Sequence, residues 1–289
     1  MDIQRLAGAY GDEITAASMS ALLELATALA SYQDALVLVG GWVPFLLVRD
    51  LGRGGFHHVG SIDVDIAVDP DRMDPAGYAS IVETITRRGY GPRRTSGGLV
   101  VPFSFTKTVA PSKEGPTIDV QVDFLTSAAP GQGAHRHRRV QPSLPARVAE
   151  GCGLAFDHNA VRRLEGVLPG DGEASATIRA LDVAGCLGMK GIALGARYQE
   201  KDAYDIHTVI AHCLSGPEDV AGEVRPFMDE PAMAKGIAAI EERFRSIRAE
   251  GPSWVATFLH PTDSVEWERT AAAAYVDVKT FIDAIRGIQ

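Results

Sequence analysis

The stretch that decides the fold is ALVLVGGWVPFLLVRDLGRGGFHHVGSIDVDIAV, residues 35–68. It opens with a continuous run of Leu and Val that is typical of a short buried strand, and Gly40 and Gly41 end that run. Trp42–Arg49 is then predicted to be a helix. The stretch closes with Ile62–Val68, where apolar residues alternate with acidic ones as in a half-buried strand. The order strand, glycine turn, helix, strand predicts an α/β (α+β) protein.

The flanking sequence extends this prediction in both directions. Helical spacing of apolar residues predicts an opening helix at about 18–32. After the central stretch we expect a crossover helix, several strands and one arginine-containing loop: helix 78–88, strands 99–106, 117–125, 154–156, 161–168 and 176–181, and loop 130–142. After Asp182 the pattern is almost entirely helical, with helices predicted at 182–196, 201–213, 231–249 and 265–286 and breaks at Gly216-Pro217 and Gly251-Pro252.

Length and pattern together predict two domains in this chain of 289 residues. Residues 1–181 form a mixed sheet with flanking helices, and residues 182–289 form a mostly helical domain. In the second domain, Gly185, Gly188 and Gly191 recur at helical spacing, which favours close packing of that helix against another.

Composition limits the classes of function. The net charge of −9 at pH 7 disfavours general binding to phosphate backbones, so a nucleic-acid partner must meet a local basic patch. The three cysteines form no C-x-x-C pair, and the interrupted apolar runs are too short to span a bilayer. The acidic N-terminus differs from a signal peptide. We therefore expect a cytoplasmic protein without a membrane partner.

Carboxylates carry the strongest chemical signal. Asp63 and Asp65 are two residues apart on a predicted strand, which places them about 7 Å apart on one face. Such a pair is stabilised by divalent cations, and its hard oxygen ligands suit Mg²⁺ together with substrate phosphates. Asp123 in TIDVQVDFL is a third candidate ligand, although the pattern leaves open whether Asp119 or Asp123 faces the metals. The alternative for an acidic strand of this kind is a solvated face.

Gly40 and Gly41 stand between a strand and a helix, where backbone N–H groups can bind an anion such as a triphosphate. A Gly-Gly pair can equally be only a turn. The order of the motifs gives it weight, because Ser61-x-Asp63-x-Asp65 follows about twenty residues later.

These motifs resemble the nucleotidyltransferase fold of polymerase-β-like enzymes. Farther along, Lys190 and the string RYQEKDAYDI, residues 197–206, resemble the K…R-x-x-x-K-D-x-x-D signature of AbiEii-type toxin nucleotidyltransferases. The resemblance implies that Asp63, Asp65 and Asp123 hold two Mg²⁺ ions, with Mn²⁺ as a substitute. It also implies catalytic roles for Lys190 and Asp205, and nucleotide-binding roles for the following residues: Gly40, Gly41, Ser61, Arg197, Lys201 and Asp202.

The later string has its own physical interpretation. If residues 190–205 are helical, Lys190, Arg197, Lys201 and Asp205 form one polar stripe. Cations beside an acidic metal site would offset the charge of departing pyrophosphate. The alternative is an ion-paired solvent face. We expect Lys190 to serve transfer more than folding, because the sequence shows no structural partner for it.

The resulting hypothesis is a metal-dependent nucleotidyltransferase that moves NMP from an NTP to an acceptor hydroxyl. The resemblance implies the toxin of a toxin-antitoxin pair, with tRNA as acceptor and a cognate antitoxin as partner. A protein side chain also fits the chemistry as an acceptor. The alternatives are an antibiotic-type, small-molecule nucleotidyltransferase and a degenerate protein that binds nucleotide or a partner without turnover. Val59 supports degeneracy, since the family often has arginine there. Arg136, Arg138 and Arg139 form either a solvated loop or an RNA contact.

Overall fold

A computed structural model describes residues 6–73, 80–110, 117–129, 136–170 and 172–288. It confirms the predicted class, a mixed sheet with helices followed by a mostly helical C-terminal half. The chain divides into two compact units. We call residues 11–42 and 61–181 the sheet unit, and residues 6–10, 43–60 and 182–288 the helical unit.

The sheet unit contains nine described strands in one sheet. They are β1 (Leu36–Val39), β2 (Val64–Val68), β3 (Gly91–Arg94), β4 (Val100–Val109), β5 (Ile118–Thr126), β6 (His137–Gln141), β7 (Leu144–Val148), β8 (Asn159–Val167) and β9 (Glu173–Leu181). The main order is β3-β4-β5-β2-β1-β9-β8, with β7 also paired to β5 and β6 paired to β7. The centre is mixed, since β1 is antiparallel to β2 and parallel to β9, while β2 is parallel to β5.

Apolar residues explain why these strands occupy the centre of the sheet. All four residues of β1 are buried, as expected of a continuous Leu/Val run in a central strand. Helix α1 (Asp12–Ala28) packs on β5, β8 and β9 through a face that includes Leu22, Leu23 and Leu25. Trp42 is fully buried and donates its Nε1–H to Ser18 Oγ on α1 at 3.0 Å. The core of the sheet unit therefore lies between α1 and the sheet.

The remaining helices are α2 (Trp42–Leu51), α3 (Ile81–Arg87), α4 (Leu154–Asp157), α5 (Val183–Ala196), α6 (Glu200–His212), α7 (Pro217–Val224), α8 (Pro231–Arg243), α9 (Glu250–Leu259) and α10 (Ser264–Arg286). Among the described residues, no helix is both long and apolar enough to cross a membrane.

Glycines permit a close crossing of α5 and α8, as the sequence predicts. A Cβ on Gly191 would lie 2.2 Å from the Gly236 carbonyl oxygen, and one on Gly236 would lie 2.2 Å from that of Gly188. No side chain fits at these distances, so backbone meets backbone. The packing of α5 against α8 thus explains the glycines at this crossing.

Four predictions of local structure are wrong. Residues 137–141 of the expected loop form β6, because pairing with β7 supplies the order that the sequence pattern lacks. Residues 154–156, expected as a strand, belong to the short helix α4, whose last carbonyls accept hydrogen bonds from Asn159 Nδ2. The expected helix 231–249 ends at Arg243. Gly251 and Pro252, expected as a break, lie in the first turn of α9, where proline is tolerated because its missing N–H needs no partner.

Other predictions fall partly outside the described residues or differ only at their ends. The start of the expected helix 78–88 and residues 130–135 of the expected loop lie outside them. The opening helix begins at Asp12, and the strand expected from Ile62 begins at Val64. The last difference is important because Asp63 precedes the strand.

Candidate active site

Two aspartates lie side by side in the sheet unit. Asp65 on β2 pairs in parallel register with Asp123 on β5, and Asp65 is also opposite Val39 on β1. Residues that are directly paired across neighbouring strands project to the same face. The two half-buried carboxylates are therefore held as neighbours by backbone pairing, which long-range topology creates and sequence spacing alone does not.

The glycine turn encloses one of these carboxylates. Gly40 has φ +75°, and a Cβ built on it would lie 2.1 Å from Asp65 Oδ2. A side chain at this position would both be strained and displace the carboxylate. Gly40 is therefore required for Asp65 to lie against the turn that leads into α2. Gly41 follows within this turn.

Asp123 is oriented by neutral donors. Ser104 on β4 is directly opposite Asp123, and its hydroxyl donates to Asp123 Oδ1 at 2.5 Å. Gln121 Nε2 donates to the same oxygen at 3.0 Å. Ser104 Oγ in turn accepts from Arg93 Nε at 2.8 Å. Among the residues that the structure describes, these partners fix the carboxylate without a direct ion pair. The sequence pattern did not reveal these partners, although Gln121 is two residues from Asp123 in TIDVQVDFL and therefore projects to the same face of the strand.

Asp63 and Ser61 lie just before β2. The buried Ser61 donates its hydroxyl to the backbone carbonyl of Asp63 at 3.1 Å, which closes a local turn. Asp119 lies four residues before Asp123, is exposed, and accepts a hydrogen bond from Thr108 at 2.6 Å. The register therefore places Asp123, rather than Asp119, beside Asp65.

A divalent cation fits the donor chemistry of this pair, since two neighbouring carboxylates supply the hard oxygens that Mg²⁺ prefers. Within the described ranges, however, no group of three or more His, Cys, Asp or Glu side chains is arranged to hold a metal ion. The aspartate pair is thus the part of the expected three-carboxylate site that backbone pairing brings together.

The helical unit contains a second cluster of charges. Lys190 on α5 is buried, and its Nζ lies 3.0 Å from Asp202 Oδ1 and 2.6 Å from Asp205 Oδ2 on α6. Arg197 binds both oxygens of Asp202 through Nε and Nη2, at 2.7 and 3.1 Å. Lys201 Nζ lies 2.8 Å from Asp205 Oδ1. Each buried carboxylate is therefore held by two cations, and we call this set, with His58, the ionic cluster.

The predicted single stripe is wrong. Arg197 and Gln199 have extended backbone conformations between α5 and α6, so Lys190 and Asp205 lie on two different helices. The expectation that Lys190 lacks a structural partner is also wrong. An ammonium in the interior needs compensating charge, and Asp202 and Asp205 provide it.

His58 completes the ionic cluster. Its Nδ1 accepts the Gly60 N–H at 3.0 Å, so the neutral ring carries its proton on Nε2, which lies 3.0 Å from Asp205 Oδ1. Tyr204 packs beside the ring and its hydroxyl accepts the Val59 N–H at 3.2 Å. No sequence motif includes His58, because a contact across 147 residues leaves no local signal.

Burial and neighbouring charge set the pKa values in this cluster. Burial lowers the pKa of His58 to about 4, despite the hydrogen bond to Asp205. For Lys190, burial acts to lower the pKa, but Asp205 and Asp202 outweigh it and raise the pKa above its usual range. Burial dominates for Lys201 and lowers its pKa. The pKa of Asp205 is held well below its usual range, because Lys190 and Lys201 outweigh the effect of burial.

No protein-family model matches the chain, and no curated protein sequence matches it. Among solved structures, it is similar to an antigenic nucleotidyltransferase-like protein from Paracoccidioides brasiliensis. That similarity has 12% identity and a TM-score of 0.42, covering 81% of this chain and 92% of the other. It is also similar to MenT4, a nucleotidyltransferase toxin from Mycobacterium tuberculosis, with 16% identity and a TM-score of 0.33, covering 95% of this chain and 94% of the other. At these TM-scores, function has to be inferred from the chain's own residues.

Proposed function

We propose that this chain is a metal-dependent nucleotidyltransferase. The observation that carries the proposal is the Asp65–Asp123 pair, held in register on adjacent parallel strands with Asp65 against the Gly40 turn. Carboxylates of this kind beside a glycine turn combine a cation-binding group with backbone N–H groups that suit phosphate.

In the proposed reaction, an acceptor hydroxyl attacks the α-phosphate of an NTP. The new bond joins the acceptor oxygen to phosphorus, the bond to the bridging oxygen of the β-phosphate breaks, and pyrophosphate leaves. Asp65 and Asp123 would hold Mg²⁺, with Asp63 as the third ligand that the sequence predicts. When bound, the metal would supply positive charge for the attacking and leaving oxygens.

Asp123 also provides a site for the proton. Ser104 and Gln121 donate to its Oδ1. We assign the proton of the attacking hydroxyl to Oδ2, the oxygen that those two hydrogen bonds do not use. Gly40, Gly41 and Ser61 are the candidates that position phosphate.

The finer proposal is a toxin nucleotidyltransferase of the AbiEii type that modifies a tRNA end and is opposed by an antitoxin. The string of residues 197–205 supports it, together with Lys190. We propose that Lys190, Arg197 and Lys201 offset the charge of the triphosphate, while Asp202 and Asp205 fix these cations. Asp205 acts in this proposal by orienting the two lysines.

A second candidate is a protein that binds nucleotide without transferring it. Val59 favours this alternative, because the family that the sequence resembles often has arginine at that position. A small-molecule acceptor is the third case, and the same experiment separates all three.

The test is incubation with each α-³²P-labelled NTP, Mg²⁺ and total RNA from the source organism, followed by separation of RNA, protein and small molecules. The proposal expects label in the RNA fraction, and loss of that label with Asp65→Asn. Label in the small-molecule fraction alone would contradict the tRNA proposal. Retention of NTP by the protein with no labelled product in any fraction would contradict transfer itself.

A further inference from the structure

One edge of the sheet is formed by β8, the nine-residue strand NAVRRLEGV. It pairs with β9 over its whole length without a register shift. Its outer side therefore presents a regular row of backbone N–H and C=O groups, which is a template for another strand. Val161 and Val167 are 59% and 54% exposed on this strand, so both ends of the edge carry uncovered apolar side chains.

The other described edges differ in ways that oppose strand addition. The opposite edge, β3, is four residues long, contains Pro92, carries two arginines and has a register shift. The branch strand β6 also has a register shift and carries His137, Arg138 and Arg139. Proline, basic residues and bulges are the features by which proteins prevent edge pairing. Within the described chain, β8 is a long edge strand that has no proline and no register shift.

The outward residues of β8 are complementary to themselves. Odd-numbered residues from Val161 to Val167 are exposed, while Leu164 is buried on the opposite side. If two β8 strands pair antiparallel with Leu164 opposite Leu164, Arg163 lies opposite Glu165 and Val161 opposite Val167. Each contact then occurs twice about a two-fold axis. Opposite charges and apolar pairs at directly paired positions are the combinations that stabilise sheets.

We infer that two copies of this chain associate through their β8 strands, in an antiparallel pair centred on Leu164, to form one continuous sheet. A second copy is the occupant of this edge, because in that one register the charged and apolar residues of the strand are complementary to those of an identical strand. A shift by two residues would place Arg163 opposite Val167 or Arg163 opposite another Arg163, which removes the charge pairing.

The face of β8 that carries Leu164 is compatible with this pairing. Leu164 is buried, and α1 contacts β8. Gly166, which has the same parity as Leu164, lies near that helix, since a Cβ built on it would be 3.8 Å from Leu23 Cδ2. Arg163 and Glu165 already attract each other along the strand, with Arg163 Nη2 2.5 Å from Glu165 Oε1, and both are more than 60% exposed. Their charges are therefore available to a strand that pairs from outside.

The first test is sedimentation velocity of the full chain from about 1 to 200 μM, a range that spans dissociation constants of moderate affinity, with no nucleotide added. We expect a concentration-dependent dimer. Arg163→Glu and Glu165→Arg should each raise the dimer dissociation constant about tenfold or more, since like charges then meet twice per dimer. The combined R163E/E165R variant should restore the wild-type value, because it exchanges the charges without changing their complementarity. A monomer throughout the range, or a dimer unaffected by the single variants, would overturn the inference.

The second test fixes the register. Directly paired positions lie within disulfide reach, so V161C/V167C should form a covalent dimer on mild oxidation. The V161C and V167C single variants should each remain monomeric on a non-reducing gel, because each introduced thiol would be about 20 Å from its copy. The three native cysteines are buried and serve as an internal control. Equal cross-linking of the single variants would contradict the register.

Both tests are independent of the proposed transfer reaction. Asp65→Asn should dimerise like the wild type, and the R163E variant should be assayed for transfer above and below its dissociation constant. Binding of a different protein at β8, with the chain itself monomeric, would show that the edge is an interface but would overturn the second copy as its occupant.

Discussion

The two groups of charged residues in this protein are built in opposite ways. In the sheet unit, Asp65 and Asp123 lie side by side, and Asp123 is oriented by the neutral donors Ser104 and Gln121. In the helical unit, Asp202 and Asp205 are each held by cations, and the carboxylates are buried with them. Like charges held together favour a bound cation, whereas a compensated cluster contributes mainly to folding. The difference indicates which group to test for chemistry and which for stability.

The largest expected effect is on transfer. Asp65→Ala should reduce nucleotide transfer by about 10³-fold or more, because it removes a proposed ligand for the cation that would stabilise the reacting phosphate. Single-turnover transfer and melting should be measured on the same preparation. Asp119→Ala, on the same strand as Asp123, is the control and should retain wild-type transfer. Near wild-type turnover of Asp65→Ala at saturating Mg²⁺ would refute the assignment.

The next effect is on stability. Lys190→Met leaves Asp202 and Asp205 with one compensating cation fewer in a buried site, so the free energy of unfolding should fall by about 3 kcal/mol. Lys279→Met breaks an exposed pair with Asp283 and should change the free energy of unfolding much less, because solvent screens that pair. Urea denaturation of both variants measures the contrast. Equal stabilities would show that the ionic cluster is not structural. A slower transfer step in a stable Lys190→Met protein would support the proposed role of Lys190 at the triphosphate.

A pH dependence distinguishes His58 from its neighbours. Burial lowers its pKa from an ordinary 6.5 to about 4, so the unfolded chain binds the proton more readily than the folded one. The stability that depends on a neutral His58 is fully present above about pH 6.5. It is lost as the pH falls towards about 4, and the free energy of unfolding then falls by about 3 kcal/mol. His58→Gln keeps an N–H donor for Asp205 but does not titrate. The variant should therefore lose less stability than the wild type across this pH interval. Parallel pH profiles would contradict a buried neutral His58.

The smallest effect concerns an RNA acceptor. Arg136, Arg138 and Arg139 lie at and in β6, where strand alternation places Arg138 and Arg139 on opposite faces, and Arg138 also lies 3.5 Å from Asp71 Oδ1. We expect the variant with glutamine at all three positions to bind RNA more weakly. The slope of log affinity against log salt should fall by about one to two units, because each lost phosphate contact lowers it by about 0.7 to 0.9. A matched control replaces three arginines that are each paired with glutamate, namely Arg245, Arg248 and Arg269. An unchanged slope for the first variant would place RNA binding elsewhere.

Sequence patterns predicted the parts of the fold that local periodicity determines. The run at β1, the alternation at β2 and β5, and the helices α5, α6, α8 and α10 follow from apolar spacing within one element. The helices α7 and α9 were not predicted, and α9 contains the expected break at Gly251-Pro252. The strand β6 and the helix α4 did not, because pairing with β7 and hydrogen bonds from Asn159 decide them. These partners lie outside the strand or helix itself, so the apolar spacing within that element does not report them.

The same distinction applies to the sites. Asp65, Asp123 and Gly40 could be named as candidates from the sequence, but only the parallel register of β2 with β5 places Asp123 beside Asp65. Ser104 and His58 carry no motif, and their importance depends on contacts across 19 and 147 residues. Lys190 was expected to serve transfer more than folding, because its partners lie on the next helix. The predicted continuous stripe did not include the break between α5 and α6.

The most direct test of the central claim is to measure Mn²⁺ binding by electron paramagnetic resonance, with and without a non-hydrolysable NTP. Mn²⁺ serves here as a spectroscopic substitute for Mg²⁺. We expect the wild-type protein to bind the ion, with higher affinity when the NTP is present. Asp65→Asn should lose this binding while Asp119→Asn retains it. Binding of Mn²⁺ by Asp65→Asn with the affinity of the wild type would contradict the claim that the Asp65–Asp123 pair holds the metal.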